Sequence, residues 1–72
     1  MLIFNQPRTV LVNFNAIKAV YADEQGKVVA SYGGQNDILL GDYKFRLRAC
    51  QVIEKMAENE GACNVFYMPE EW

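Results

Sequence analysis

The sequence predicts an α+β domain: an antiparallel β-meander packed against one C-terminal-half α-helix, with a short final strand. Three observations carry this expectation. Short apolar runs with period-two alternation, separated by turn residues, occupy residues 1–40. A helical period replaces them after Gly41-Asp42 and stops at Gly61. The apolar fraction of 51% includes four Phe, four Tyr and one Trp, too many large side chains for disorder.

Leu2-Ile3-Phe4 is predicted as the first strand, and Asn5-Gln6-Pro7-Arg8 as the turn that ends it, since the residue before a proline favours extended geometry. Thr9 to Phe14 follows, with Val10, Val12 and Phe14 on one face and Leu11 and Asn13 on the other. After a turn at Asn15, Ile17 to Ala22 forms the next strand, in which Ile17, Ala19 and Tyr21 alternate with Lys18, Val20 and Ala22. Asp23-Glu24-Gln25-Gly26 is the clearest turn: Gly26 can take positive φ and close a hairpin through a bulge. Lys27 to Tyr32 returns, Gly33-Gly34-Gln35-Asn36 turns again, and Asp37 to Leu40 supplies a short strand.

The helix is predicted from Tyr43 to Glu60, with Asp42 as N-cap and Gly61 as its stop. Phe45, Ala49, Val52, Ile53 and Met56 share its apolar side, with Cys50 and Ala57 at the edge. Asn64 to Met68 reads as the final strand before Pro69, and Trp72 as a residue that either folds back or stays loose.

All 72 residues are expected in one domain. Folding a chain of this size hides roughly 60% of its extended surface, which leaves one thin core. A single helix covers only part of such a sheet. Leu11, Val20 and some of Val28, Val29, Ile38, Leu39 and Leu40 are therefore expected to face an uncovered side. A second molecule, identical or different, would bury that surplus; strong curling of the sheet is the alternative.

Chemical motifs are sparse. Without histidine, the chain holds no His-containing triad and no Cys/His zinc site of its own. Ser31, the single serine, has no base near it in a recognisable pattern. Asp23, Glu24, Asp37 and Asp42 are placed for turns and caps, and Gly33-Gly34 lacks the rest of a phosphate-binding loop. Cys50 and Cys63 are expected as small core or boundary thiols. The expectation is a protein with no enzymatic activity, no catalytic residue, no cofactor and no metal. No apolar run approaches the roughly 20 residues a bilayer requires, and the start lacks a secretory leader, which points to the cytoplasm.

Charge is distributed unevenly. Residues 1–48 carry a net +2 and residues 49–72 a net −4, for a total of −2. Within the helix, Lys44, Arg46 and Arg48 come first and Glu54, Glu58 and Glu60 last, which opposes the helix dipole. Lys44 with Arg48, and Glu54 with Glu58, are also like-charged pairs four residues apart. Leu47 lies roughly 160° around the helix from the apolar side. Leu47, Gln51 and Glu54 are the candidate interaction surface. Arg8, Lys44, Arg46 and Arg48 form an alternative anion-binding patch, with Tyr32 or Tyr43 as an aromatic neighbour, although a net acidic chain disfavours nucleic acid.

Ile3…Gln6…Thr9…Leu11-Val12-Asn13-Phe14…Ile17 resembles small uncharacterised proteins of Gram-positive bacteria and their prophages. Leu40-Gly41-Asp42-Tyr43 and Tyr67-Met68-Pro69 are similar to the same group, so the resemblance spans nearly the full chain. It implies no activity, substrate or catalytic residue. It does imply a prophage setting, in which interference with a host or rival-phage protein is conceivable.

Two function classes follow. The first is a non-enzymatic protein-interaction or regulatory module, with an unidentified protein partner and a homodimer as one form. The second is a small nucleic-acid-binding regulator working through Arg8 and the Lys44/Arg46/Arg48 region.

Overall fold

A computed structural model describes residues 1–33, 37–62 and 64–70. Gly34, Gln35, Asn36, Cys63 and Trp72, for which turn, thiol and tail roles were expected, lie outside the described residues.

The fold is α+β, a β-meander packed against one helix, with a short terminal strand. Its elements are β1 (Leu2–Phe4), β2 (Leu11–Asn13), a 3-10 turn (Phe14–Ala16), β3 (Ala19–Ala22), β4 (Lys27–Ser31), β5 (Ile38–Asp42), α1 (Arg46–Asn59) and β6 (Val65–Tyr67). The strands divide between two three-stranded sheets. One has the order β2-β1-β6, and the other β3-β4-β5. Every pairing is antiparallel except β1 with β6, which is parallel. That ladder extends past both strand ends: Leu2 N–H donates to the Asn64 carbonyl at 2.8 Å and Met68 N–H to the Phe4 carbonyl at 3.1 Å.

The turns follow their residue chemistry. Gly26 takes φ +87°, and Asp23 N–H and Gly26 N–H donate to the carbonyls of Lys27 and Asp23, closing the β3–β4 hairpin as the sequence predicts. The turn after β1 is stabilised by Asn5, the one buried polar side chain among the described residues. Its Oδ1 accepts from the backbone of Thr9 at 2.8 Å and Val10 at 2.9 Å, and its amide donates to the Thr9 hydroxyl. Gln6 then joins the two sheets. Its N–H donates to the Leu40 carbonyl at 2.7 Å, its Oε1 accepts from Asp42 N–H at 2.9 Å, and its Nε2 donates to the Pro69 carbonyl.

Inward residues of the three layers meet in one core. Ile3, Val12 and Phe66 come from the first sheet, Val28, Ala30 and Leu40 from the second, and Ala49, Val52 and Met56 from α1. Between β4 and β5 the register shifts at Val28/Val29, and Leu40 and Gly41 are both buried at that irregularity.

The start of the helix departs from expectation. Asp42 ends β5 and is not the N-cap; its carboxylate accepts from Lys44 N–H at 3.1 Å. Phe45 occupies the cap position in extended conformation with no side-chain cap hydrogen bond, and it is 64% exposed instead of packed with Ala49 and Val52. The cause is the preceding backbone. Tyr43 N–H donates to the Gly26 carbonyl and Lys44 takes φ +69°, so helical geometry begins three residues later than the apolar period suggests. Val20 also differs, because it is half-buried and lines the side facing α1.

Candidate interaction surfaces

The outer face of α1 lies opposite its buried residues. Ala49, Val52 and Met56 anchor the helix in the core, so Leu47, Gln51, Glu54 and Glu58, on the opposite side of the 3.6-residue cycle, are all exposed. Leu47 is 70% exposed, the highest value among the large apolar side chains of the described residues, and Phe45 follows at 64%. Lys44 and Arg46 are exposed and Arg48 is half-buried, so two apolar side chains alternate with three cations where the helix begins. The first turn contains no acidic residue and the last no basic one. The stripe is therefore positive and apolar at one end, acidic at the other, against the direction the helix dipole favours.

Arg8 has partners of its own. It sits at φ +59° in the turn after β1, its guanidinium 4.9 Å above the Tyr67 ring and its Nε 3.4 Å from the Glu70 carboxylate. One of the four residues of the alternative anion patch thus already has a carboxylate and an aromatic face as partners. Tyr43, a candidate aromatic neighbour, is buried, with its hydroxyl donating to the Pro69 carbonyl at 2.7 Å; burial pushes its phenol up to about 12.

The first sheet presents a second surface. Its cross-strand registers place Phe4 between Leu11 and Tyr67, and Leu2 between Asn13 and Val65. Because Ile3, Val12 and Phe66 point into the core, these six residues form the outer face. Only Asn13 among them is polar. The Phe4 and Tyr67 rings stack with centroids 5.6 Å apart. On the second sheet one apolar row, Tyr21–Val29–Leu39, also faces outward, and the Tyr21 hydroxyl donates to Asp37 at 3.2 Å. Partial desolvation and that carboxylate raise the Tyr21 phenol. The sequence argument anticipated Leu11 and Leu39 on uncovered sides, whereas Val28 and Leu40 are fully buried.

A small open groove of about 250 Å³ separates the C-terminal half of α1 from β3. Phe14, Ile17, Val20, Ile53 and Met56 supply apolar walls, with Lys18 and Glu60 also lining it.

Asp23, Asp42 and Ser31, singled out as potential chemistry, have local structural partners. Asp23 accepts from Gln25 and Lys27 N–H, Asp42 from Lys44 N–H, and Ser31 Oγ from Gly33 N–H. Cys50 is a half-buried free thiol. Among the described residues no cluster of three metal-ligating side chains occurs, and no helix is long and apolar enough to cross a membrane. Compared with known proteins, the chain matches no family model, no curated protein and no solved structure.

Proposed function

We propose that the protein is a non-enzymatic interaction module that docks another protein on the outer face of α1. The observation that carries this reading is the exposure of Leu47 on the outer face of α1, with Phe45 exposed at the helix N-cap and the cations Arg46 and Arg48 in the first turn. A large apolar anchor such as Leu47 supplies much of a small contact's free energy when buried, while flanking charge selects the partner and its orientation. The matching surface has an apolar recess bordered by carboxylates near the helix start and a cation near Glu54 and Glu58. In the prophage setting implied by the resemblance, and in the cytoplasm, that surface belongs to a host or rival-phage protein.

The alternative reading, a small nucleic-acid-binding regulator, retains Lys44, Arg46 and Arg48. It is weakened by the Arg8–Glu70 ion pair and by the two apolar side chains set among the cations.

A photoreactive residue at Gln51, expressed in the native cell, tests the proposal. The expected result is a discrete protein adduct that Leu47→Asp or Arg46→Glu abolishes and that the same residue at Glu24 does not give. Crosslinking to nucleic acid would favour the alternative, and no adduct from Gln51 would defeat the docking reading.

A further inference from the structure

We infer that the outer face of the β2-β1-β6 sheet is a two-fold interface between two copies of this chain. A strand with one solvated face normally alternates apolar inside with polar outside. Here both faces are apolar: Ile3, Val12 and Phe66 within, and Leu2, Phe4, Leu11, Val65 and Tyr67 without. Leu2, Leu11 and Tyr67 keep 36%, 48% and 51% of their surface exposed.

Charge selects the occupant. The ion pair beside this face, Arg8–Glu70, is internally neutral, and Arg8 already covers part of Tyr67. Apart from that guanidinium, which Glu70 balances, none of the six residues of the face is charged, so the face neither steers a charged partner nor repels an identical copy. The uneven charge of the chain lies on α1. This site is therefore separate from the α1 surface and does not depend on what docks there.

Geometry is also self-complementary. A two-fold axis running along β1 sets Phe4 against Phe4 of the second copy and Leu11 against Tyr67 of the second copy, pairing a smaller side chain with a larger one, and leaves Asn13 opposite Val65 of the second copy as the one polar pairing, at the edge. Leu2, Leu11 and Tyr67 are exposed, with Phe4 and Val65 half-buried between them, a patch of roughly a few hundred Å², the size of functional patches on small proteins. A patch of that size lies at or below the lower end of what a specific interface buries per partner. The expected dimer is therefore weak, forming at micromolar concentration and above.

Sedimentation equilibrium of the intact chain from about 1 to 500 μM tests this. The expected result is a mass rising from 8.2 kDa towards twice that value. Leu11→Lys and Tyr67→Lys should each raise the dissociation constant about tenfold or more, while Leu47→Lys leaves it unchanged. Circular dichroism of the same samples confirms that the variants are folded. If either lysine variant unfolds, dilution-dependent amide shifts in the unaltered chain replace it, expected at residues 2–4, 11–13 and 65–67 and not along 46–59. A constant 8.2 kDa mass overturns the proposal, as does a dimer abolished by Leu47→Lys but not by Leu11→Lys. Association that appears only in Trp72→Ala would also overturn it, because the chain's own tail would then be the occupant.

Discussion

A β-carbon placed on Gly26 would stand 2.5 Å from the Phe45 amide nitrogen. The tip of the β3–β4 hairpin is thus in backbone contact with the segment that starts α1, and the Gly26 carbonyl accepts from Tyr43 N–H at 2.9 Å. Gly26→Ala combines an unfavourable φ of +87° with a clash that no side-chain rotation relieves. The expected destabilisation is about 2–4 kcal/mol. Gly61 also has positive φ, but nothing lies within 4 Å of its β-carbon position, so Gly61→Ala should cost only about 1 kcal/mol. Urea denaturation of the two variants separates contact from conformation. Equal losses would refute the contact.

Asn5 offers a polar counterpart. Replacing it with Ala removes the acceptor for Thr9 and Val10 N–H in a site where the side chain is 5% exposed. A loss of about 2–3 kcal/mol is expected. Asn5→Asp keeps the acceptor but not the donor to the Thr9 hydroxyl, and should retain more stability than Asn5→Ala at neutral pH.

Tyr43 predicts an alkaline limit. Its phenol is pushed up from 10.0 to about 12 by burial. Below the unfolded value it is neutral in both states. As pH rises from there through the folded value, the unfolded chain loses its proton first, and stability falls. After allowance for solvent screening, the loss is about 1–2 kcal/mol. Tyr43→Phe should remove this part of the pH dependence and cost about 1 kcal/mol near neutrality, because the hydroxyl's bond to the Pro69 carbonyl disappears. An unchanged slope above pH 10 in that variant would show that other groups govern it.

Leu47 and Val52 should respond in opposite ways. Val52 is fully buried, and Val52→Ala should lower stability by about 1–3 kcal/mol. Leu47→Ala should change it by less than about 0.5 kcal/mol, since the side chain contributes little to the core. The photocrosslinking yield should show the reverse order, with Leu47→Ala losing the adduct and Val52→Ala keeping it under conditions where it remains folded.

Local pattern made several elements legible from the chain. Leu2–Phe4, the Asp23–Gly26 turn and the helical stop at Gly61 each rest on neighbours in sequence: alternation, a turn residue able to take positive φ, and the end of an apolar period. The exposure of Leu47, Gln51 and Glu54 was equally legible, because the helical cycle places them opposite Ala49, Val52 and Met56.

Long-range pairing decided the rest. Alternation says that Val65–Tyr67 is a strand but not that it lies parallel beside β1, and only that pairing assembles Leu11, Phe4 and Tyr67 into one row. Phe45 fitted the apolar period of the helix. A hydrogen bond from Tyr43 to Gly26, seventeen residues away in sequence, delays the helix and leaves the ring in solvent. Arg8 matched the other cations by charge until the fold set it over Tyr67 beside Glu70. Local backbone sterics and side-chain periodicity set most segments as strand, turn or helix, except at edges such as Tyr43–Phe45, where the contact with Gly26 overrides them. Which surfaces remained open was decided by contacts between distant segments, whose closure depends on the whole core forming at once.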